Sequence, residues 1–313
     1  MSTAPILPSR GLPSGYLAAE PRRLAEILRA ARSAGPLPLG SQRERSSLWV
    51  TSDGVAIVSI DGVMSKDGGW FGASTRVARA QVRDAGSRND VRAIALRISS
   101  PGGYVDGTAD LAADVAEAAT RKPVHAFIED ICASAAYWVA CQATKVWCNA
   151  TGLVGSIGAY QVLVDESGLC RELGIVVHLV ATGPLKGAGE PGTEITPEIL
   201  EYERKLVGDL NAHFLRTVRT GRGLTPKQLE TVTSGAVWIA SEAKGLGLID
   251  GIRTLDDVVA DLAEVPDVAS RGRALRARVR FELEAGAIEP PAAPTPLRDR
   301  AARAIDDARG ATS

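Results

Sequence analysis

The run Ala93-Ile94-Ala95-Leu96-Arg97-Ile98, followed by Ser99-Ser100-Pro101-Gly102-Gly103, decides how this chain folds. Five of the first six residues are apolar and two of them β-branched, as a buried strand requires, and the Pro-Gly pair stops the run in a turn. On either side lie helical patterns, Ser74 to Ala85 before the strand and Gly107 to Thr120 after it. Further out, the same texture repeats. Val55-Ala56-Ile57-Val58-Ser59-Ile60 precedes the first helix, and Val124-His125-Ala126-Phe127-Ile128 comes after the second. A helix over about Ser134 to Ala143, the short run Lys145 to Cys148 and a strand over Ile175 to Val180 continue the series. Alternating strands and helices predict an α/β fold with a mainly parallel sheet and helices covering it. Sites in such folds gather at the carboxyl ends of the strands.

Beyond the sheet region, Thr196 and Pro197 suit the N-cap and first position of a long helix. Ile199, Leu206, Leu210, Phe214 and Val218 recur along it until Gly221. Thr225-Pro226-Lys227-Gln228 has the form of a capping box, and Ser241 to Gly245 reads as a short helix stopped by glycine. These signals divide the chain into an arm and linker over 1–47, a central domain over 48–262 and a tail over 263–313. The arm contains one amphipathic candidate helix, Glu20 to Ala34, between Pro/Gly/Ser-rich flanks. The tail carries Arg271, Arg273, Arg276, Arg278 and Arg280, then the proline-dense run Glu289 to Pro296, and is expected to be largely disordered. The arginine stretch reads first as a solvated helix face and second as a partner-binding segment.

The composition narrows the function classes. Of 313 residues, 45% are hydrophobic and 23% charged, with 36 Lys+Arg against 37 Asp+Glu, so no bulk positive charge steers the chain to nucleic acid. No apolar run is long enough to span a bilayer, and Met1 to Arg10 lacks the apolar core of a signal peptide. The expectation is a soluble cytoplasmic protein without a membrane anchor. Cys132, Cys141, Cys148 and Cys170 form no Cys-x-x-Cys pair, which fits a reducing compartment. Only His125, His178 and His213 are available as histidine bases, and all three read as structural. No spaced Cys/His cluster suggests a metal, and nothing calls for a cofactor.

Three segments at strand ends have chemical potential. Ser99-Ser100-Pro101-Gly102-Gly103 reads as a plain turn, yet its glycines leave backbone N–H groups uncovered, as an oxyanion-binding loop needs. Cys132-Ala133-Ser134-Ala135-Ala136-Tyr137-Trp138 carries a serine at a strand-to-helix turn. Ser134 is either an N-cap or a nucleophile with small neighbours that leave room for a substrate. In Gly183-Pro184-Leu185-Lys186-Gly187-Ala188-Gly189-Glu190-Pro191-Gly192 the single cation is Lys186. An exposed lysine there stays protonated, whereas a lysine buried over the serine is held in its neutral form and can deprotonate it. Serine and lysine pairs are a known variant of the serine-histidine-acid arrangement.

These runs, together with Gly152 to Gly158 and Trp238 to Asp250, resemble in order and spacing the motifs of the S49 serine peptidases. That family includes signal peptide peptidase A and phage capsid-maturation proteases. The resemblance covers about Val50 to Ile252. It implies a ClpP/crotonase-like spiral, Ser134 as nucleophile, Lys186 as general base, and an oxyanion hole made by the N–H groups of Gly102 and Ala135. Gly103 and Ser156 are implied as supports of the site, Ser156 through a hydrogen bond to Lys186. The implied partners are polypeptide substrates and further copies of the chain in a ring-like homo-oligomer. With no membrane anchor in view, a phage or prophage head-maturation protease acting on scaffold, portal or capsid proteins ranks ahead of a soluble signal-peptide-peptidase-like enzyme.

Two other chemistries share this architecture. A crotonase acting on acyl-CoA would use carboxylates such as Glu129 and Asp130, and it has no use for Ser134 and Lys186. ClpP-type Ser-His-Asp catalysis needs a histidine soon after the nucleophile helix, and none occurs between Ser134 and His178.

Overall fold

The computed structural model describes residues 47–68 and 72–266, together with the backbone of 17–19. The candidate helix Glu20 to Ala34, the arginine stretch and the proline-dense tail lie outside the described residues. The strands are β1 (Leu17–Ala19), β2 (Trp49–Val50), β3 (Val55–Asp61), β4 (Ala93–Ser100), β5 (Gly102–Tyr104), β6 (Val124–Ala133), β7 (Lys145–Cys148), β8 (Leu153–Gly155), β9 (Val237–Ile239) and β10 (Gly251–Ile252). The helices are α1 (Thr75–Ser87), α2 (Thr108–Arg121), α3 (Ala135–Ala140), α4 (Ser167–Glu172), α5 (Pro197–Arg222), α6 (Pro226–Thr231), α7 (Ala240–Gly245) and α8 (Leu255–Ala263).

The main sheet runs β10-β7-β6-β4-β3-β2, with β8 branching from β6 and β9 pairing with β8. Its centre is parallel, with β3 on β4, β4 on β6 and β6 on β7, while β2 and β9 join antiparallel at the margins. This is the α/β architecture expected from the alternating pattern. Side chains of a strand alternate between faces. Ala56, Val58, Ile60, Ile94, Leu96 and Ile98 pack in the larger core with residues of α1, α2 and α3. Val55, Ile57, Ala93 and Ala95 turn to the smaller cluster with Val258 and Leu262 of α8. Both faces are covered, and for that reason the strands read as continuous apolar runs.

The caps form where the sequence places them. Ser74 accepts from the Val77 amide at 3.2 Å and Thr196 from the Ile199 amide at 3.3 Å. Thr225 and Gln228 complete their capping box. The helix α5 ends at Arg222, with Gly223 beyond it in the left-handed region at φ 63°.

The strand expected over Ile175 to Val180 does not form. The run has no regular structure, and Val176 and Val180 are 74% and 94% exposed. Strand propensity is realised only against a neighbouring strand, and none of the described strands pairs with the run. The serine-bearing helix is also shorter than the pattern suggested, Ala135–Ala140.

Candidate active site

Strand β6 is built so that its end delivers Ser134. Its first half pairs with β7, His125 to Ile128 opposite Lys145 to Cys148. Its second half leaves β7 and pairs with β8, Ile131 to Ala133 opposite Leu153 to Gly155. Against β4 the register passes from Ile98↔Ile128 to Ser100↔Cys132, so extra residues bulge out of β6 between these points. Bulges bend a strand and re-aim the residues beyond them. Here Ser134 is brought between the ends of β4 and β8.

The Ser134 backbone is held at φ 55°, ψ −118°. Its amide donates to Gly155 O at 2.7 Å, and its carbonyl accepts from the Trp138 amide at 2.9 Å to start α3. The side chain makes no N-cap bond; the hydroxyl donates to Gly158 O at 3.2 Å. The N-cap alternative for Ser134 is thereby excluded. Among the described residues, the non-glycine positions with positive φ are Ser134 and Ser156, at 55° and 49°. Such geometry persists only where the surroundings impose it, and it clusters at functional sites. The helix behind the serine is anchored firmly. Tyr137 Oη donates to Leu248 O at 2.8 Å, and the Trp138 ring stacks on Phe214 at 4.5 Å with 4° between planes.

On the β4 side stands the Pro-Gly-Gly turn. Ser100 Oγ donates to Gly62 O at 2.6 Å and accepts from the Gly102 amide at 3.2 Å. The turn then continues as β5, where Met64 N donates to Gly102 O at 2.8 Å and Tyr104 N to Met64 O at 2.9 Å. A Cβ on Gly103 would lie 1.9 Å from Met64 O, so the close approach admits glycine alone. Ala135 occupies the first helical position after Ser134, where the N–H has no preceding turn to receive it.

On the β8 side, Gly155 has φ 130°, and a Cβ there would meet the Trp238 ring at 2.6 Å. Ser156 is buried, and its amide donates to Ala236 O at 2.6 Å. Ser134, Ala135, Gly102, Gly103 and Ser156 therefore stand at the ends of neighbouring strands. Lys186 is not drawn in with them. It lies in the turns after Thr182, its amide bonded to Gly183 O at 3.1 Å and its side chain exposed. This loop is tied at its base by Asp165, a residue that no motif singles out. Its carboxylate accepts from the Ser167 amide at 2.9 Å and the Ile195 amide at 3.0 Å. The Ser167 hydroxyl, then the amides of Ile195 and Ser167, hold that carboxyl down at about 2. Its one signal in the sequence is a short Asp-x-Ser turn.

Competing groups are occupied elsewhere. Burial pushes the Cys132 thiol well above its ordinary value and those of Cys141 and Cys148 up to about 12, so none is a thiolate nucleophile. His125 accepts from Trp147 Nε1 at 3.3 Å, and burial lowers its pKa. Glu129 is paired with Arg97 at 3.1 Å. Among the described residues no group of three His, Cys, Asp or Glu side chains could hold a metal ion. None of their helices is long and apolar enough to cross a membrane. A surface depression lined by Trp49, Ile57, Arg97, Leu255 and Val259 excludes all the site residues.

The model of peptidase family S49 matches residues 116–269. Protease 4 of Salmonella typhi is 32% identical over 187 residues, 59% of this chain and 30% of that protein. The chloroplastic serine protease SPPA of Arabidopsis thaliana is 26% identical over 71% of this chain and 33% of that protein. Capsid assembly protease C of Escherichia phage lambda is 25% identical over 276 residues, 88% of this chain and 62% of that protein. The chain thus spans between about a third and three fifths of the length of these relatives. Over residues 116–269, then, the chain is similar to peptidase family S49.

Proposed function

We propose that this chain is a serine endopeptidase in which Ser134 attacks the scissile carbonyl and Lys186 takes the serine proton. The observation that carries this reading is the Ser134 backbone at φ 55°, held between the turns that end β4 and β8. That conformation turns a hydroxyl out of a strand-to-helix junction at a cost of about 1–3 kcal/mol. The N–H groups of Gly102 and Ala135 stabilise the oxyanion, Gly102 exchanging its contact with Ser100 for the substrate oxygen.

Lys186 is exposed in the single chain, so the base reaches the serine only when the 182–192 loop is closed over it. The exposed apolar run Ile175 to Val180 supports a homo-oligomer whose contacts bury this region, since packed neighbours are what a loop amine needs to lose its water. The substrates are polypeptides. The lambda protein matches 88% of this chain, against 59% for protease 4 of Salmonella typhi. That breadth favours a phage or prophage head-maturation protease cutting scaffold, portal or capsid proteins over a signal-peptide-peptidase-like enzyme.

The test compares wild type with Ser134→Ala in co-expression with the neighbouring phage structural proteins, with mass spectrometry of the products. Cleavage of scaffold or capsid protein by wild type alone is the expected result. Equal cleavage by both proteins removes the serine-peptidase reading. Cleavage of model peptides but of no structural protein favours the signal-peptide-peptidase-like role.

A further inference from the structure

The edge of β5 is already occupied by a piece of this chain. Strand β1 lies antiparallel on it, Leu17 opposite Tyr104, Ala18 opposite Gly103 and Ala19 opposite Gly102. The other edge of β5 is committed to Met64, through Gly102 O and Tyr104 N. Backbone groups of successive strand residues point to alternate edges, so the N–H and C=O of Gly103 face Ala18. The direction matters as much as the pairing. Gly102 is the end of β5 next to β4, and β4 closes on Cys132 just before Ser134. An antiparallel strand on β5 therefore advances its carboxyl end toward the nucleophile, and Ala19 is the residue that stands at Gly102. Addition of a peptide strand to a sheet edge is a general way of binding polypeptide through main-chain hydrogen bonds, largely independent of side-chain identity.

We propose that Leu17-Ala18-Ala19 is held as an internal substrate strand, and that the chain cuts itself on the carboxyl side of Ala19. This rests on the reading of Ser134 as nucleophile. Ser134 Oγ bonds to the carbonyl carbon of Ala19, and the Ala19–Glu20 peptide bond breaks. The serine proton passes through the Lys186 amine to the departing nitrogen of Glu20. Water then attacks the ester, leaving the Ala19 carboxylate and restoring the Ser134 hydroxyl. Until this cut is made, β1 competes with every other polypeptide for the β5 edge.

The experiment tracks the intact mass of the full chain after purification and during incubation, beside hydrolysis of a separate unstructured peptide. The expected result is loss of residues 1–19, giving a chain that begins at Glu20, with no change in Ser134→Ala. At concentrations where the chain is fully assembled, the rate constant should be independent of protein concentration. Ala18→Pro removes the N–H that meets Gly103 O; it should slow self-cleavage about ten-fold, the weight of one such hydrogen bond, while peptide hydrolysis is kept or raised. Peptide hydrolysis with residues 1–19 retained overturns self-cleavage and leaves the peptidase reading standing. Absence of both activities overturns both. A cut at another position, or one in Ala18→Pro at the wild-type rate, shows that β1 is not the delivered strand.

Discussion

The amide of Ser134 donates to the carbonyl of Gly155 at 2.7 Å, joining the turns at the ends of two parallel strands, β6 and β8. Each turn contains a serine in the left-handed region, and each serine is locked by a backbone bond, Ser134 to Gly155 and Ser156 to Ala236. Gly155 can sit between them only without a side chain, because the Trp238 ring fills the space a Cβ would need.

Gly155→Ala should therefore destabilise the fold by more than about 1 kcal/mol, since the backbone conformation and the contact with Trp238 both resist a Cβ. Urea unfolding monitored by tryptophan fluorescence measures the loss. Hydrolysis should fall further than stability, because the same shift moves the Ser134 amide.

Ser134→Gly is predicted to be inactive yet at least as stable as wild type, by up to about 1 kcal/mol, because glycine adopts φ 55° freely. Ser134→Ala should be inactive with stability within about 1 kcal/mol of wild type, there being no cap bond to lose. A thermal unfolding series of the three proteins tests the ordering. A Ser134→Gly protein clearly less stable than Ser134→Ala would show that the serine backbone is not strained.

Lys186→Arg and Lys186→Met should both abolish peptide hydrolysis while leaving the unfolding midpoint unchanged, since the side chain is exposed. The guanidinium remains protonated and cannot accept the serine proton, and the thioether has no base to offer. Turnover by Lys186→Arg at a measurable fraction of wild type assigns the base to another residue.

Asp250 ties β7 to α5, accepting from the Val146 amide at 2.8 Å and from Arg222 Nη1 at 2.9 Å. Burial alone would raise its pKa, but the Val146 amide and the Arg222 guanidinium outweigh that and hold the carboxyl below its ordinary value. In the window between the two values the unfolded chain binds the proton and the folded one does not. Asp250 therefore adds stability above the ordinary carboxylate value of about 3.9, and that contribution is lost as pH falls through the depressed native value. Urea midpoints between pH 7 and pH 3 should drop, and Asp250→Asn should flatten the part of the drop due to this group.

Strands β3, β4, β6 and β7 were legible because helices cover both faces of the sheet, and a strand buried on both faces must be apolar almost throughout. Ser74, Thr196 and Thr225 marked helix starts because capping is a local exchange between one side chain and an amide three residues on. Ser134 could be singled out as a candidate by a different local mark, a serine among small residues at a strand-to-helix turn. Other features carried no local signature. β1, β5, β8 and β9 are three-residue strands that exist through their partners, so no window of sequence announces them. Ile175 to Val180 shows the converse, a run with every local mark of a strand and no partner among the described strands.

From sequence alone came the α/β class, the central strands, the helix starts and the residues that carry the candidate chemistry, because burial periodicity and capping act over a few neighbouring positions. Tertiary structure alone decided that Ser134 is strained against Gly155 rather than capping its helix. It also decided that Lys186 stands exposed and that Ala19 lies opposite Gly102. Each of these depends on contacts between segments far apart in the chain, whose strength comes from backbone hydrogen bonds and excluded volume that residue identity does not record.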